Sequence, residues 1–154
     1  MKARDRCSGS SLLKLLPLLS MIVLLACCTK PMSHRQEMVR NRPEKKVYKA
    51  KPEVVREAVV RVLEKKKFYL DPGQSTPLHV ETEWLEDGGY RSMAVVDIKP
   101  LSKSRTELKL QMLLEKKLVF QDKWKPMDEI GADTYKMILG DIEMECYRVL
   151  YERS

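Results

Sequence analysis

The sequence predicts an α+β fold: a two-layer sandwich in which an antiparallel sheet of about four or five strands carries two helices on one face, in the order β-α-β-β-β-(β)-α. Three observations predict it. Apolar residues recur at helical spacing in two places, after Pro52 and after Pro126. Between those places they alternate with polar residues at period two. Turn-forming residues, Asp71 to Pro77 and Asp87-Gly88-Gly89, punctuate the alternating region. An antiparallel sheet can bury one face under helices and leave the other to solvent or a partner.

Each element follows in order. Val47-Tyr48-Lys49-Ala50 reads as a short extended segment. Pro52 suits a first helical turn, and Val55, Ala58, Val59, Val62 and Leu63 then share one helical face. The run Lys65-Lys66-Lys67 closes this helix, where cations complement the negative end of its dipole. Phe68-Tyr69-Leu70 begins a strand. Leu78, Val80, Thr82 and Trp84 alternate with His79, Glu81 and Glu83, which predicts a half-buried strand. Asp87-Gly88-Gly89 can turn the chain into a strand over Tyr90 to Lys99. There Arg91, Met93, Val95, Asp97 and Lys99 make a mixed face opposite Tyr90, Ala94, Val96 and Ile98, and this mixed face is a candidate contact surface. After a loop at Pro100 to Lys103, Thr106, Leu108, Leu110, Met112 and Leu114 form another alternating strand, with Leu118 to Trp124 as a further one. A second helix follows Pro126, with Tyr135, Leu139, Ile142, Cys146 and Val149 on one face and Ile138 and Leu150 beside them. No internal repeat or low-complexity segment interrupts this pattern.

The charge is unevenly placed. The chain of 154 residues is 44% hydrophobic and 33% charged, with a formal charge of +7. Residues 1–26 carry a net of +3 and residues 27–51 a net of +6, whereas everything from Pro52 onward nets −2. A nucleic-acid-binding domain would carry its basic patch on the folded body, so that class is disfavoured.

The front end has a different character. Residues 1–14 are basic, and Leu15 to Ala26 form an apolar run of 12 residues, too short for the about 20 that a spanning helix needs. Pro17 would cost a core helix about 3 kcal/mol. An export signal over residues 1–26 is the expected assignment. Its last residues, Leu24-Leu25-Ala26-Cys27, resemble the lipobox of bacterial lipoproteins. That resemblance implies cleavage between Ala26 and Cys27, with diacylglycerol and an N-acyl chain on Cys27 anchoring the protein in a lipid bilayer. Several acyl chains make such an anchor durable, since each buried CH₂ contributes about 0.8 kcal/mol. In the Gram-negative members of that class an aspartate after the lipidated cysteine retains the protein at the inner membrane. Cys28 stands there instead, which implies the outer membrane, facing the periplasm. Residues 27–46 then read as a lipidated, basic, flexible tether, of which Thr29 to Lys46 can reach up to about 60 Å, either solvated or lying along anionic headgroups. Residues 47–154 form the single folded domain.

The body carries a second resemblance. A short strand, the helix "VVREAVVRVLEKKKFYL", then "LHVETEW" and a strand ending "VVDIKP" resemble the helix-grip domains of the small lipoprotein of the outer-membrane β-barrel assembly machinery. That lipoprotein usually carries two such domains, whereas this chain has room for one. The resemblance implies a non-enzymatic role in assembly or interaction, with an envelope protein as partner.

The residues themselves offer little chemistry. With Cys7 leaving in the leader and Cys27 acylated, Cys28 and Cys146 remain, and they make neither a disulfide framework nor, with His34, a metal site. No cofactor is expected beyond the covalent lipid. His79 shares a strand face with Glu81 and Glu83, a couple that could do acid–base work but reads more simply as a solvated face. Trp84 and Trp124 read as packing residues at the core edge, and Cys146 as core. Two functional classes therefore stand: a non-catalytic protein-interaction or assembly module on the envelope membrane, and a periplasmic carrier or sensor of a small apolar ligand or lipid. A carrier needs a cavity lined by Tyr135, Ile138, Leu139 and Ile142, while an interaction module needs those residues close-packed and its contact surface outside.

Overall fold

The structure, a computed structural model, describes residues 38–154. The lipobox residues Leu24, Leu25, Ala26 and Cys27 lie outside the described residues, as do Cys7, Cys28, His34 and most of the expected tether. The chain runs β1 (Met38–Arg40), β2 (Glu44–Tyr48), α1 (Pro52–Lys65), β3 (His79–Glu81), β4 (Leu85–Asp87), β5 (Tyr90–Ser102), β6 (Arg105–Leu118), β7 (Lys123–Pro126), β8 (Glu129–Gly131) and α2 (Thr134–Glu152). The α+β class is as the alternation predicts, with six strands in the main sheet rather than four or five.

A long antiparallel hairpin, β5 with β6, is the spine of the sheet. β2 pairs with the first part of β6 and β7 with its last part. On the opposite edge, β3 pairs with the middle of β5 and β4 with its start. Because side chains alternate across a strand, Ala94, Val96 and Ile98 share a face with Leu108, Leu110 and Met112, their cross-strand partners. Tyr48 and Val80 extend this face at the two edges, and all of these residues are buried in one core cluster with both helices. α1 contributes Val54, Val55, Ala58, Val59, Val62 and Leu63, and α2 contributes Tyr135, Ile138, Leu139, Ile142, Cys146 and Val149.

Polar pins hold the edges of this core. The Tyr48 hydroxyl donates to the Leu139 carbonyl (3.0 Å), and Thr106 Oγ1 donates to the Ala50 carbonyl (2.8 Å). The Tyr135 hydroxyl accepts from the Met112 N–H (3.0 Å) and donates to Asn41 Oδ1 (2.6 Å), while Asn41 Nδ2 donates to the Met112 carbonyl (2.7 Å). Buried polar groups that find partners in this way avoid the desolvation cost of an orphan.

Four expectations about elements are corrected. Strands already occur before Val47: β1 pairs with β8 in a separate two-stranded sheet, and Glu44 to Lys46 are paired with β6. Backbone ladder bonds hold this segment while most of its side chains stay exposed, so period-two burial does not betray it. The strand expected over Leu78 to Trp84 is confined to His79–Glu81; Val80 and Thr82 are buried, but Leu78 is exposed. Pro100 to Lys103 is mostly strand, because β5 continues through an irregularity to Ser102. Leu118 to Trp124 is a hairpin turn between two strands rather than one strand. The turn at Asp87 to Tyr90 is as expected: Gly88 and Gly89 both take positive φ (57° and 82°), as a two-residue hairpin loop requires.

Candidate functional site

The four residues expected as a ligand or packing face lie in the core. Tyr135, Ile138, Leu139 and Ile142 are all buried in the core cluster, close-packed against α1 and the sheet. Cys146 lies in the same core, where burial pushes its thiol up to about 12, so it stays protonated at neutral pH. A cleft of about 620 Å³ opens instead beside α1, walled by Arg56, Glu57, Arg61, Leu78 and Arg153. Its charges answer one another: Arg61 pairs with Glu57 (2.6 Å) and Glu152 (2.9 Å), and Arg153 pairs with Glu57.

The helix-free face of the sheet holds two polar groups. At its middle, cross-strand pairing sets His79 opposite Asp97, with Nδ1 2.8 Å from Oδ1, and Nε2 lies 3.5 Å from Glu81. Lys109 approaches the other Asp97 oxygen at 3.5 Å. These hydrogen bonds, that to Asp97 above all, raise the His79 pKa, and the same contact lowers that of Asp97. Of the three residues expected to share this face, Glu83 falls away: it lies beyond β3, and its N–H donates to the Tyr69 carbonyl (2.8 Å). With Asp97 in its place the group is an exposed ion-pair cluster, and it contains no nucleophile.

Further along the same face, the Arg91 guanidinium lies between two indoles, 4.4 Å from the Trp84 ring and 4.7 Å from that of Trp124. Glu115, its cross-strand partner, binds it through Nε (2.6 Å) and Nη2 (2.5 Å). Each such half-buried cation–π contact contributes about 0.5–2 kcal/mol. Neither tryptophan belongs to the core cluster, so the expected core-edge role is corrected. The buried core reaches Ala94 on β5 and Met112 on β6, with Leu85 and Leu114 half-buried against it, and the indole–guanidinium stack joins the arm made of β4, β7 and the far half of the β5–β6 hairpin.

The outward face of α2 is the third surface. Met137, Met144, Tyr147 and Tyr151 are exposed, by 54, 70, 62 and 85%. They follow one another at steps of seven, three and four, and Gly140 fills the remaining position of the 3-4 series. Nothing stands within 4 Å of where a Gly140 side chain would begin. Sequence reasoning found the inward stripe of this helix and missed the outward one, although the same periodicity carries both. The Trp84–Arg91–Trp124 stack had no such signal, because its members come from separate segments joined only by pairing.

Among the described residues no helix is long and apolar enough to cross a membrane, and no group of three or more His, Cys, Asp or Glu side chains is placed to hold a metal ion. Neither a family model nor a curated protein matches the chain.

Proposed function

We propose that the chain is a lipid-anchored envelope protein, held through Cys27, that acts as a non-catalytic protein-interaction module. The observation that carries this reading is the apolar outward stripe of α2, Met137, Met144, Tyr147 and Tyr151, on a helix whose other face is already close-packed. α2 thus carries apolar residues on two opposite sides, with Lys136, Asp141, Glu143 and Arg148 between them, and an apolar stripe left outside the core marks a contact surface. Steps of three and four residues with a glycine among them suit an amphipathic partner helix laid along this face. Burial of Tyr135, Ile138, Leu139 and Ile142 within the core cluster weighs for an outside contact surface. The lipobox resemblance supports attachment to a bacterial membrane, with the outer membrane favoured. The helix-grip resemblance favours outer-membrane protein assembly as the process.

Mild crosslinking and affinity purification of the membrane-anchored protein test this, run beside Cys27→Ala and the double variant Met144→Glu/Tyr147→Glu. An envelope protein should be enriched with the native chain, and the double variant should weaken that capture at least about tenfold. Equal capture by the double variant, or co-purification of a lipid or small ligand with no protein, would overturn the reading. Cys27→Ala should leave an uncleaved or unattached chain; processing at residue 27 with retained attachment would exclude the lipobox.

A further inference from the structure

The tip of the β6–β7 hairpin carries an exposed apolar group that the protein partner does not explain. Val119 is 87% exposed and Phe120 99%, and Phe120 is one of two phenylalanines in the chain. A Phe side chain left wholly in water forgoes the largest part of the free energy its burial would supply. The side chains just behind the tip are of a particular kind. Lys123 pairs with Leu118, Trp124 with Lys117, and Lys125 with Lys116. Tyr90, half-exposed, lies across from Lys116 on β5, with the Lys116 ammonium 5.6 Å from its ring. The carboxylates here are Asp122, bound to Lys117 at 2.7 Å, Glu115, bound to Arg91, and Glu86 and Asp87 in the strand that ends level with Tyr90. An apolar point, then a band of lysines with a Trp and a Tyr, matches the layers of a phospholipid surface: acyl boundary, then phosphates and the headgroup level where Trp and Tyr prefer to sit.

We infer that this hairpin is a second membrane contact, inserting Val119 and Phe120 at the bilayer interface while Lys116, Lys123 and Lys125 meet lipid phosphates. The inference takes its location from the envelope reading above; the chemistry of the tip stands without it. Its geometry is consistent with an anchor at Cys27. The chain enters the fold on the arm's side of the sheet, since Asn41 bonds Met112 and Glu44 pairs with Leu110. From Met112 to Phe120 a strand rises roughly 25 Å, and residues 27–37 can span roughly 35–40 Å. Chain length alone therefore does not keep the hairpin and Cys27 from one bilayer.

The test uses the full chain, purified and reconstituted in phospholipid vesicles containing brominated lipid. Phe120→Trp and Tyr151→Trp each place an indole at an exposed site, so folding is preserved. Tyr151 lies toward the other end of the fold, where neighbouring Arg153 pairs with Glu57 in the first turns of α1. After subtraction of the unsubstituted protein's signal, Phe120→Trp should show a blue-shifted emission and several times the bromolipid quenching of Tyr151→Trp. Equal quenching at the two positions would overturn the inference. The intact mass reads the anchor separately. Acyl chains on Cys27 without quenching at residue 120 would remove the hairpin contact and leave the anchor. Quenching on added vesicles without acyl chains would leave the hairpin contact and remove the anchor.

Discussion

His79 takes its acidity from neighbours that the sheet brings to it. Its ring stands 2.8 Å from Asp97 and 3.5 Å from Glu81, with Lys109 beyond Asp97. These carboxylates raise its pKa above the ordinary 6.5. The imidazolium contact is thus fully present below about pH 6.5 and fades as the pH rises through the raised midpoint. Asp97 acts in the opposite sense: its lowered pKa gives a contribution present above the unfolded value and lost as acid protonates it in the fold. A proton NMR titration should give His79 a midpoint above 6.5, and Asp97→Asn should bring that midpoint down. A midpoint indifferent to this substitution would mean the pair is not formed in solution. Alternation in the sequence placed His79 and Glu81 on one polar side, yet Asp97 enters only through the register of β3 against β5.

At the scale of elements, the end of α1 shows how a local signal was half legible. In sequence the three lysines mark a charged helix end, whereas the closure is made by the backbone. The Phe68 N–H bonds the Leu63 carbonyl (2.9 Å) and the Lys67 N–H bonds that of Glu64 (2.9 Å), with Lys67 at φ 66°. This is the paired closure usually made with glycine at the left-handed position, and Phe68 against Leu63 supplies its apolar contact. A side chain at that φ is disfavoured. Lys67→Gly should therefore stabilise the protein by about 0.5–1 kcal/mol, read as a higher urea midpoint at unchanged slope. An unchanged or lower midpoint would mean that Lys67 makes contacts outweighing its backbone strain.

Over the whole molecule, one buried carboxylate links the two helices beside their shared apolar core and the Arg61–Glu152 pair. Glu145 on α2 is 5% exposed, and its oxygens meet Lys65 (2.6 Å) and Arg61 (3.4 Å) of α1 as well as Arg148 (3.0 Å) of its own helix. The Lys65 contact is foremost in holding its pKa below the ordinary carboxylate value. Glu145→Gln should destabilise the fold by about 1–3 kcal/mol in urea unfolding near neutral pH. Because the folded pKa is depressed, the advantage of the native residue is present above the unfolded pKa and lost as the pH falls through the folded one. The two proteins should converge in acid, and a gap independent of pH would assign the loss to packing instead.

By itself the sequence determined the fold class, the inward faces of both helices, the alternating faces of β5 and β6, and the turn at Gly88-Gly89. Each of these is a local matter of period, backbone freedom or dipole, written within a dozen neighbouring residues. Only the tertiary structure decided what lies where the elements meet or stop. β1 and β2 owe their place to ladder bonds with distant strands, and Trp84, Arg91 and Trp124 become one stack because pairing aligns three separate segments. Phe120 is exposed because β6 and β7 run past the end of the helical core, and no window of sequence records where a distant helix ends.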